Sequence, residues 1–485
     1  MIKNVAFVAR AEIRYLILDV IKDFKEKTSC KIIFYCHSEE QLKFYERYDL
    51  IDELHLCKSL YPDDPLQLVP VDSAYERARA WEDKLGITLN SLIVPDRHYG
   101  RGYMLGGFHH PRSQFSQKSN YEQVLHAFCE TLDFWQAEIT ERAIDVIVNG
   151  PRESAVVCAY LKVPYRVLVG SRTENLHFWA HNHFYEHPEL DNLTFDQSLG
   201  LKSNSKDSDE VSSLPYFSHS ESRKRHMEMF KFPSLVKNIA STLLHYFYWK
   251  LRGYAKARGY LIKDRIKYHW RKWYQYKVIQ SIAQVKLDDL NNIDFVFFPL
   301  AIEPEMGLHG LSPEFFYQQS AIAAISRDLP AGVFLAVKET FGAVGRRPDN
   351  FYQQIAELKN VVMIDLWEPG IEVASKAKAA VTISGTTGFE AILKGVPVVT
   401  FGQHNHYNVV PGVKIVDKES RLKGHLRDAI YMSEVEKSEL AASARVLLSK
   451  IKEISFDLGG YNYIDLKSYS DDTAVLASNA LIESV

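Results

Sequence analysis

Residues 381–402 read VTISGTTGFEAILKGVPVVTFG. An apolar run through Ile383 gives way to Ser384-Gly385-Thr386-Thr387-Gly388, then to apolar residues at helical spacing, then to Gly395-Val396-Pro397 and a second β-branched run. That order spells strand, tight turn, helix and strand. Glycines at 385 and 388 permit backbone conformations and close approaches that a Cβ obstructs. The helix that follows leaves its first N–H groups unpaired at the positive end of its dipole, which suits an anion such as a phosphate. Glu390, just inside that helix, is placed to accept hydrogen bonds from sugar or ribose hydroxyls. Gly395 is expected to cap the helix and Pro397 to stop it. Taken without its neighbours, the same stretch also fits an ordinary βαβ turn with a solvated glutamate.

The rest of the chain gives that unit a setting. With 485 residues, 46% hydrophobic and 12% aromatic, it is long enough for two domains, each with a large core. A net charge of −3 implies no global affinity for polyanions. Cys30, Cys36, Cys57, Cys129 and Cys158 form an odd set without CxxC spacing and read as buried thiols of a reducing compartment. The first residues, MIKNVAFVARAEIRYLILDVI, lack the features of a signal peptide, and no run of 18 apolar residues suits a membrane span. The expected location is cytoplasmic, with a peripheral position at the inner face of the plasma membrane as its extension.

Short apolar strands at Val5–Ala9, Lys31–Tyr35 and Ile51–Cys57 alternate with helical segments, the pattern of a parallel sheet covered on both faces. No GxGxxG follows the first strand, so a dinucleotide fingerprint is absent. Between Leu92 and Arg112, ionisable residues interleave with glycines; Asp96 is a candidate base, and Arg97, His98 and Arg101 are candidate acceptor contacts. An incidental surface ion pair is the alternative for Asp96-Arg97. Tyr121–Ala143 reads as a core helix. Arg152, Glu153 and Arg172 fall just after expected strands, where open α/β sheets place ligands. Residues 201–226 are Ser-rich and charged, a linker without assigned fold.

Residues 231–280 carry twelve Lys or Arg, one acid (Asp264) and twelve aromatic residues. Their local charge is +11, which leaves −14 for the remainder. Basic and aromatic residues on helices suit an anionic membrane surface; a helical insertion packed on its own domain is the alternative, and no nucleic-acid-binding motif accompanies them. A second α/β domain opens at Ile293–Leu300, whose strand runs into Glu303 and Glu305, candidates for the base on an acceptor hydroxyl or for sugar contacts. The next strand ends at Lys338, followed by Arg346 and Arg347, cations suited to a leaving phosphate.

The run Gly385, Glu390-Ala391, Gly395-x-Pro397 resembles the donor-nucleotide segment of GT-B glycosyltransferases. The pattern DRxxGRGY…GGxxxPRS from Asp96, with SRxxN at Ser171–Asn175, is similar to bacterial capsule and surface-polysaccharide proteins, and distantly to capsule Kdo transferases. Where that family commonly carries Lys-x-His-Pro, this chain has Lys338-Glu339-Thr340, without the histidine.

The resemblance implies two Rossmann-like domains facing a cleft. These are an acceptor domain over 1–200, a linker and basic aromatic helical insertion over 201–290, a nucleotide-sugar-binding domain over 291–430, and a helical segment over 431–485 that crosses back. It implies transfer of sugar from a CMP- or UDP-linked donor to a growing, lipid-linked or free, capsule or lipopolysaccharide glycan, without metal or other cofactor. The donor is expected at Lys338, Ser384, Gly385, Thr386, Thr387, Gly388 and Glu390. Arg97, His98, Arg101, Arg152 and Arg172 are expected at the acceptor, with Asp96, Glu303 or Glu305 as base. A non-hydrogen-transfer nucleotide-sugar epimerase and a catalytically silent glycan-binding subunit are the rival functions.

Overall fold

The computed structural model describes residues 2–57, 70–96, 119–171, 173, 175–195, 219–253, 262–303, 311–312, 317–458 and 466–485. The chain forms two compact units, one of Met1–Ile93, Lys118–Asn192 and Leu448–Val485, the other of Val94–Gln117 and Leu193–Leu447. Both are α/β.

The first unit begins with β1 (Asn4–Val8), α1 (Leu16–Thr28), β2 (Lys31–Cys36) and β3 (Glu53–Leu56). After α2 (Tyr121–Glu141) come β4 (Val146–Val148), α3 (Arg152–Leu161), β5 (Tyr165–Gly170) and β6 (Leu176–Ala180). β1, β2 and β4 are buried along nearly their whole length, as strands with helices on both faces must be. α1 buries Leu16, Ile17, Val20, Ile21 and Phe24 along one stripe, and Ser29 ends it in the left-handed conformation. All five cysteines are buried and unpaired.

The second unit contributes α4 (Phe232–Leu251), α5 (Ile262–Ile282), β7 (Asp294–Pro299), α6 (Gln318–Asp328), β8 (Val333–Lys338) and β9 (Val361–Ile364). β10 (Ala379–Thr382), α7 (Thr386–Leu393), β11 (Val398–Thr400) and β12 (Lys414–Ile415) follow. Part of the Ser-rich segment expected to be a linker is helical, over His219–Met229; residues 196–218 lie outside the described ones.

The chain closes with β13 (Phe456–Asp457) and α8 (Asp471–Ser484), both in the first unit. β13 adds to the sheet edge by pairing antiparallel with β6, so the order is β13-β6-β5-β4-β1-β2-β3. α8 lies on α1, burying Ala474, Ala477 and Leu481 among Ile17, Ile21 and Phe24. The Trp179 indole donates to the Ala477 carbonyl at 2.8 Å, and Lys27 reaches Asn479 at 2.7 Å. The second sheet runs β12-β11-β10-β7-β8-β9, with every pairing parallel.

In each sheet the chain lays strands to one side of its first strand and then returns to the other. The first sheet reverses between β1 and β4, the second between β7 and β10. At such a point the helices on either side leave in opposite directions and open a crevice at the carboxyl ends of the strands.

Leu481 is fully buried between α8 and α1. Leu481→Ala is therefore expected to destabilise the first unit by about 2–5 kcal/mol, read as a lower urea midpoint for that unit's transition.

Candidate active site

At the reversal point of the second sheet, β10 runs through buried Ile383 and Ser384 into α7. Gly385 is the residue before the helix, with φ −102° and ψ 153°, a conformation open to any residue. Its N–H donates to the Thr382 hydroxyl at 3.1 Å. No side chain caps α7; Thr386 is exposed and Thr387 half-exposed in its first turn, while the Gly388 N–H is taken by the Gly385 carbonyl at 3.3 Å.

Gly388 has a different requirement. A Cβ there would stand 2.6 Å from the Tyr407 hydroxyl and 2.7 Å from its ring carbon. The space that the sequence reading assigned to a ligand beside Gly388 is filled by Tyr407, which is fully buried and donates to the Gly385 carbonyl at 3.4 Å. Asn405 holds the same loop down, its amide nitrogen 2.9 Å from both the Ile383 carbonyl and the Thr400 hydroxyl. Asn405 and Tyr407 were not among the sequence candidates; the polar run after β11 was the only signal for them. His406 packs edge-on against Phe389.

The helix ends as expected near Gly395, which has φ +74°. The Gly395 and Val396 amides donate to the Ile392 and Ala391 carbonyls, a Schellman ending with Lys394 as the last half-helical residue. Glu390 is half-buried on α7, and burial raises its carboxyl above the usual range against the pull of Lys394.

The strand ends beside this turn carry a buried ion cluster. Arg347 has no solvent exposure. Its guanidinium donates to Glu339 twice, at 2.7 and 2.8 Å, to Glu303 at 2.9 Å and to the Ala301 carbonyl at 2.7 Å. Glu339 also accepts from the Tyr352 hydroxyl at 2.8 Å and the Thr340 amide at 2.7 Å. Glu303, the sequence candidate for a base, thus follows β7 at the reversal point but is buried as a partner of Arg347. Burial pushes its carboxyl up to about 7, with Arg347 pulling the other way.

Arg347, read from sequence as a phosphate-facing cation, is committed to these carboxylates. Its own carbonyl accepts from Arg271 and, at 2.7 Å, from Gln275, both on α5. Gly345, at φ +92°, lets α5 approach: a Cβ there would lie 2.7 Å from the Lys272 backbone.

Lys338 is not brought to the α7 turn. β7 lies between β8 and β10, and the Lys338 ammonium donates to the Glu339 and Leu366 carbonyls at 3.3 Å each, on the β9 side. Burial pulls its amine down to about 8, the nearby Glu339 opposing.

In the first unit, β4 ends at Asn149, held at φ +60°. Its side-chain oxygen accepts from the Leu168 amide at 3.0 Å, while Arg10, at the end of β1, donates to the Leu168 carbonyl at 2.7 Å. Arg10 and Asn149 thereby meet at this sheet's reversal point, with the partly exposed Glu12 paired to Arg10. Neither Arg10 nor Asn149 was picked out by sequence as a site residue. Arg152, expected at the acceptor, is buried and donates to the Leu92 carbonyl; Glu153 is buried too. Asp96 is buried at the end of its described segment. Arg97, His98, Arg101, Arg172 and Glu305 lie outside the described residues.

Removing the guanidinium strands two buried carboxylates, so Arg347→Met is expected to cost about 3–5 kcal/mol in urea unfolding of the second unit. The raised carboxyl of Glu303 carries its own pH signature. A group whose folded pKa of about 7 exceeds its usual 4.5 contributes stability that is present below 4.5 and lost as pH rises through 7. Glu303→Gln is expected to flatten that decline in a pH series of urea midpoints.

No family model matches the chain, and no curated protein does. Among solved structures, it is similar to the glycotransferase of kitacinnamycin at 10% identity and TM-score 0.27, over 99% of each chain. It is similar to the β-Kdo 2,7 transferase KpsC of Thermosulfurimonas dismutans at 12% identity and TM-score 0.31, over 72% of this chain and 89% of that one. The UDP-GlcNAc 2-epimerase of Neisseria meningitidis bound to UDP-GlcNAc is similar at 12% identity and TM-score 0.24, over 93% of this chain and 100% of the other. Similarities this distant carry no argument about chemistry, and the functional assignment rests on the chain's own residues.

Proposed function

We propose that the chain is a glycosyltransferase that takes its sugar from a nucleotide sugar, with the donor's phosphates at the α7 turn. The observation that carries this reading is the first turn of α7, without a side-chain cap and with Thr386 exposed, at the reversal point of an all-parallel sheet. Amide N–H groups at a helix start favour the charge that grows on a departing nucleotide phosphate, and they do so without reorganising. In this reading Gly385, Thr386 and Thr387 hold the phosphates and Glu390 accepts from sugar or ribose hydroxyls. Ser384 and Gly388 support the turn from beneath, and Lys338 braces the neighbouring strand ends.

The acceptor hydroxyl loses its proton as its oxygen attacks the anomeric carbon and the bond to the phosphate oxygen breaks. Asp96 and Glu305 are the proposed bases for that proton; Glu303 is given a supporting role because it already holds Arg347. The proposed acceptor is a growing surface glycan of the capsule or lipopolysaccharide kind, with Arg97, His98, Arg101 and Arg172 as its proposed contacts. Metal-independent transfer belongs to the proposal, since helix amides supply the positive charge. The sequence does contain one Asp-x-Asp, Asp207 to Asp209, outside the described residues. Five buried free thiols support a reducing compartment such as the cytoplasm.

The test incubates the full chain with UDP- and CMP-sugars, with and without a lipid-linked glycan, and follows free nucleotide and sugar identity. Acceptor-dependent nucleotide release is expected; acceptor-independent isomerisation would instead mark an epimerase, and no turnover a silent glycan-binding subunit. Glu390→Gln is expected to weaken donor binding in calorimetry by about 10- to 100-fold, the worth of one hydrogen bond to a charged group. Unchanged affinity in a folded variant would remove the α7 site.

A further inference from the structure

α4 is twenty residues long, and Leu235 near its start is its one buried residue. Beyond it, Val236, Leu244, Phe247, Tyr248 and Leu251 are all exposed. The last four fall at i, i+3, i+4 and i+7, so they line one face of the helix. Leu244 and Leu251 are 71% and 86% exposed, so most of each aliphatic side chain faces solvent.

α5 explains why this face stays open. Its buried residues Tyr268, Arg271, Gln275 and Ile279 form a single face, and Arg271 and Gln275 tie that face to the Arg347 carbonyl. α4 meets α5 through Phe232 on Trp273 and Thr242 on His269. On α5, Lys263, Lys267, Trp270, Tyr274 and Lys277 recur at i, i+4, i+7, i+11 and i+14, and Trp270 and Tyr274 are about half exposed. The hairpin is thus anchored at its root and presents apolar, aromatic and cationic side chains beyond it.

We propose that the α4–α5 hairpin docks this protein on an anionic lipid bilayer, the aliphatic stripe of α4 entering the acyl boundary and the lysines meeting headgroup phosphates. Charge selects this occupant. Residues 231–280 carry +11, with no acid in α4 and Asp264 the single acid in the segment. A second copy docked through the same face would bring two such charges together. A nucleic acid would satisfy the lysines but leave Leu244 and Leu251 facing sugar and phosphate. An anionic bilayer alone takes all three kinds of side chain, with rings at headgroup depth, aliphatics below and cations above. Among the described residues no helix is long and apolar enough to cross the membrane, so the contact is with its surface. The inference does not depend on the donor site, and its test is separate.

The full chain is sedimented with phosphatidylcholine vesicles and with vesicles containing about 30 mol% phosphatidylglycerol, at low and high salt. Binding to the anionic vesicles is expected to be at least about tenfold tighter than to neutral ones and to weaken with salt. Leu244→Asp/Leu251→Asp and Lys263→Glu/Lys267→Glu are each expected to lose about tenfold in binding with unchanged circular dichroism, since all four positions lie on the surface or are only partly buried. Equal partitioning onto both vesicles, or stripe variants that bind like the parent chain, would overturn the proposal. So would a concentration-dependent dimer abolished by the stripe variant, or tighter salt-sensitive binding to an oligonucleotide than to the anionic vesicles.

Discussion

One guanidinium organises the working edge of the second sheet. Arg347 is without solvent, and taking such an ion out of water costs several kcal/mol unless its donors find charged or polar acceptors in good geometry. Here they do: two bonds to Glu339, one to Glu303 and one to the Ala301 carbonyl. Glu339 is completed by the Tyr352 hydroxyl and the Thr340 amide. Because Ala301 and Glu303 follow β7 while Glu339 follows β8, the cluster fixes two adjacent strand ends at one spacing. The Arg347 carbonyl then carries the fixing outward to α5. Sheet edge and helical hairpin are parts of one polar assembly, so the hairpin's position is set by the same residues that set the crevice floor.

This assembly also divides labour among charges. Lys338 and Arg347 are both spent on internal acceptors, so neither side chain adds charge at the α7 turn, where the helix start carries its own backbone dipoles. Backbone amides are fixed in direction by the helix and cannot be neutralised by proton loss, so such a site keeps its polarity across pH. Tyr407 and Asn405 make that direction reliable by pinning the turn from behind.

The alternating strands and helices, both sheets and the β10–α7–β11 unit were legible because apolar periodicity reports burial and Gly395-Val396-Pro397 reports a helix end. The antiparallel β6 and two-residue β13 were not legible, since short edge strands lean on partners distant in sequence. The role of Gly388 was misread for a related reason. A glycine signals that something comes close, and sequence does not say whether it is a ligand or, as here, Tyr407 nineteen residues on. The same holds for Glu303 and Arg347: their types announced a polar strand edge, but which carboxylate each cation had taken was a matter of three-dimensional pairing. Lys338 shows the cost of arguing from strand ends alone, because its side chain turns to the β9 side.

The two units share a winding plan yet offer different chemistry at their reversal points. α3 begins with Arg152 and Glu153 both buried, and Gly150 ahead of it is packed so closely that a Cβ would meet the Ser154 hydroxyl at 2.1 Å. Its first turn is closed by protein. α7 begins with Thr386 exposed and no side-chain cap, so its first turn is open. Among the described residues at the first unit's reversal point, the side-chain pair Arg10–Glu12 stays partly exposed, its members of opposite charge. An open helix start favours a phosphate, whereas a mixed-charge pair supplies donors and acceptors together, which suits hydroxyl-rich molecules. The asymmetry between the two units lies in the local packing of two helix starts and one ion pair.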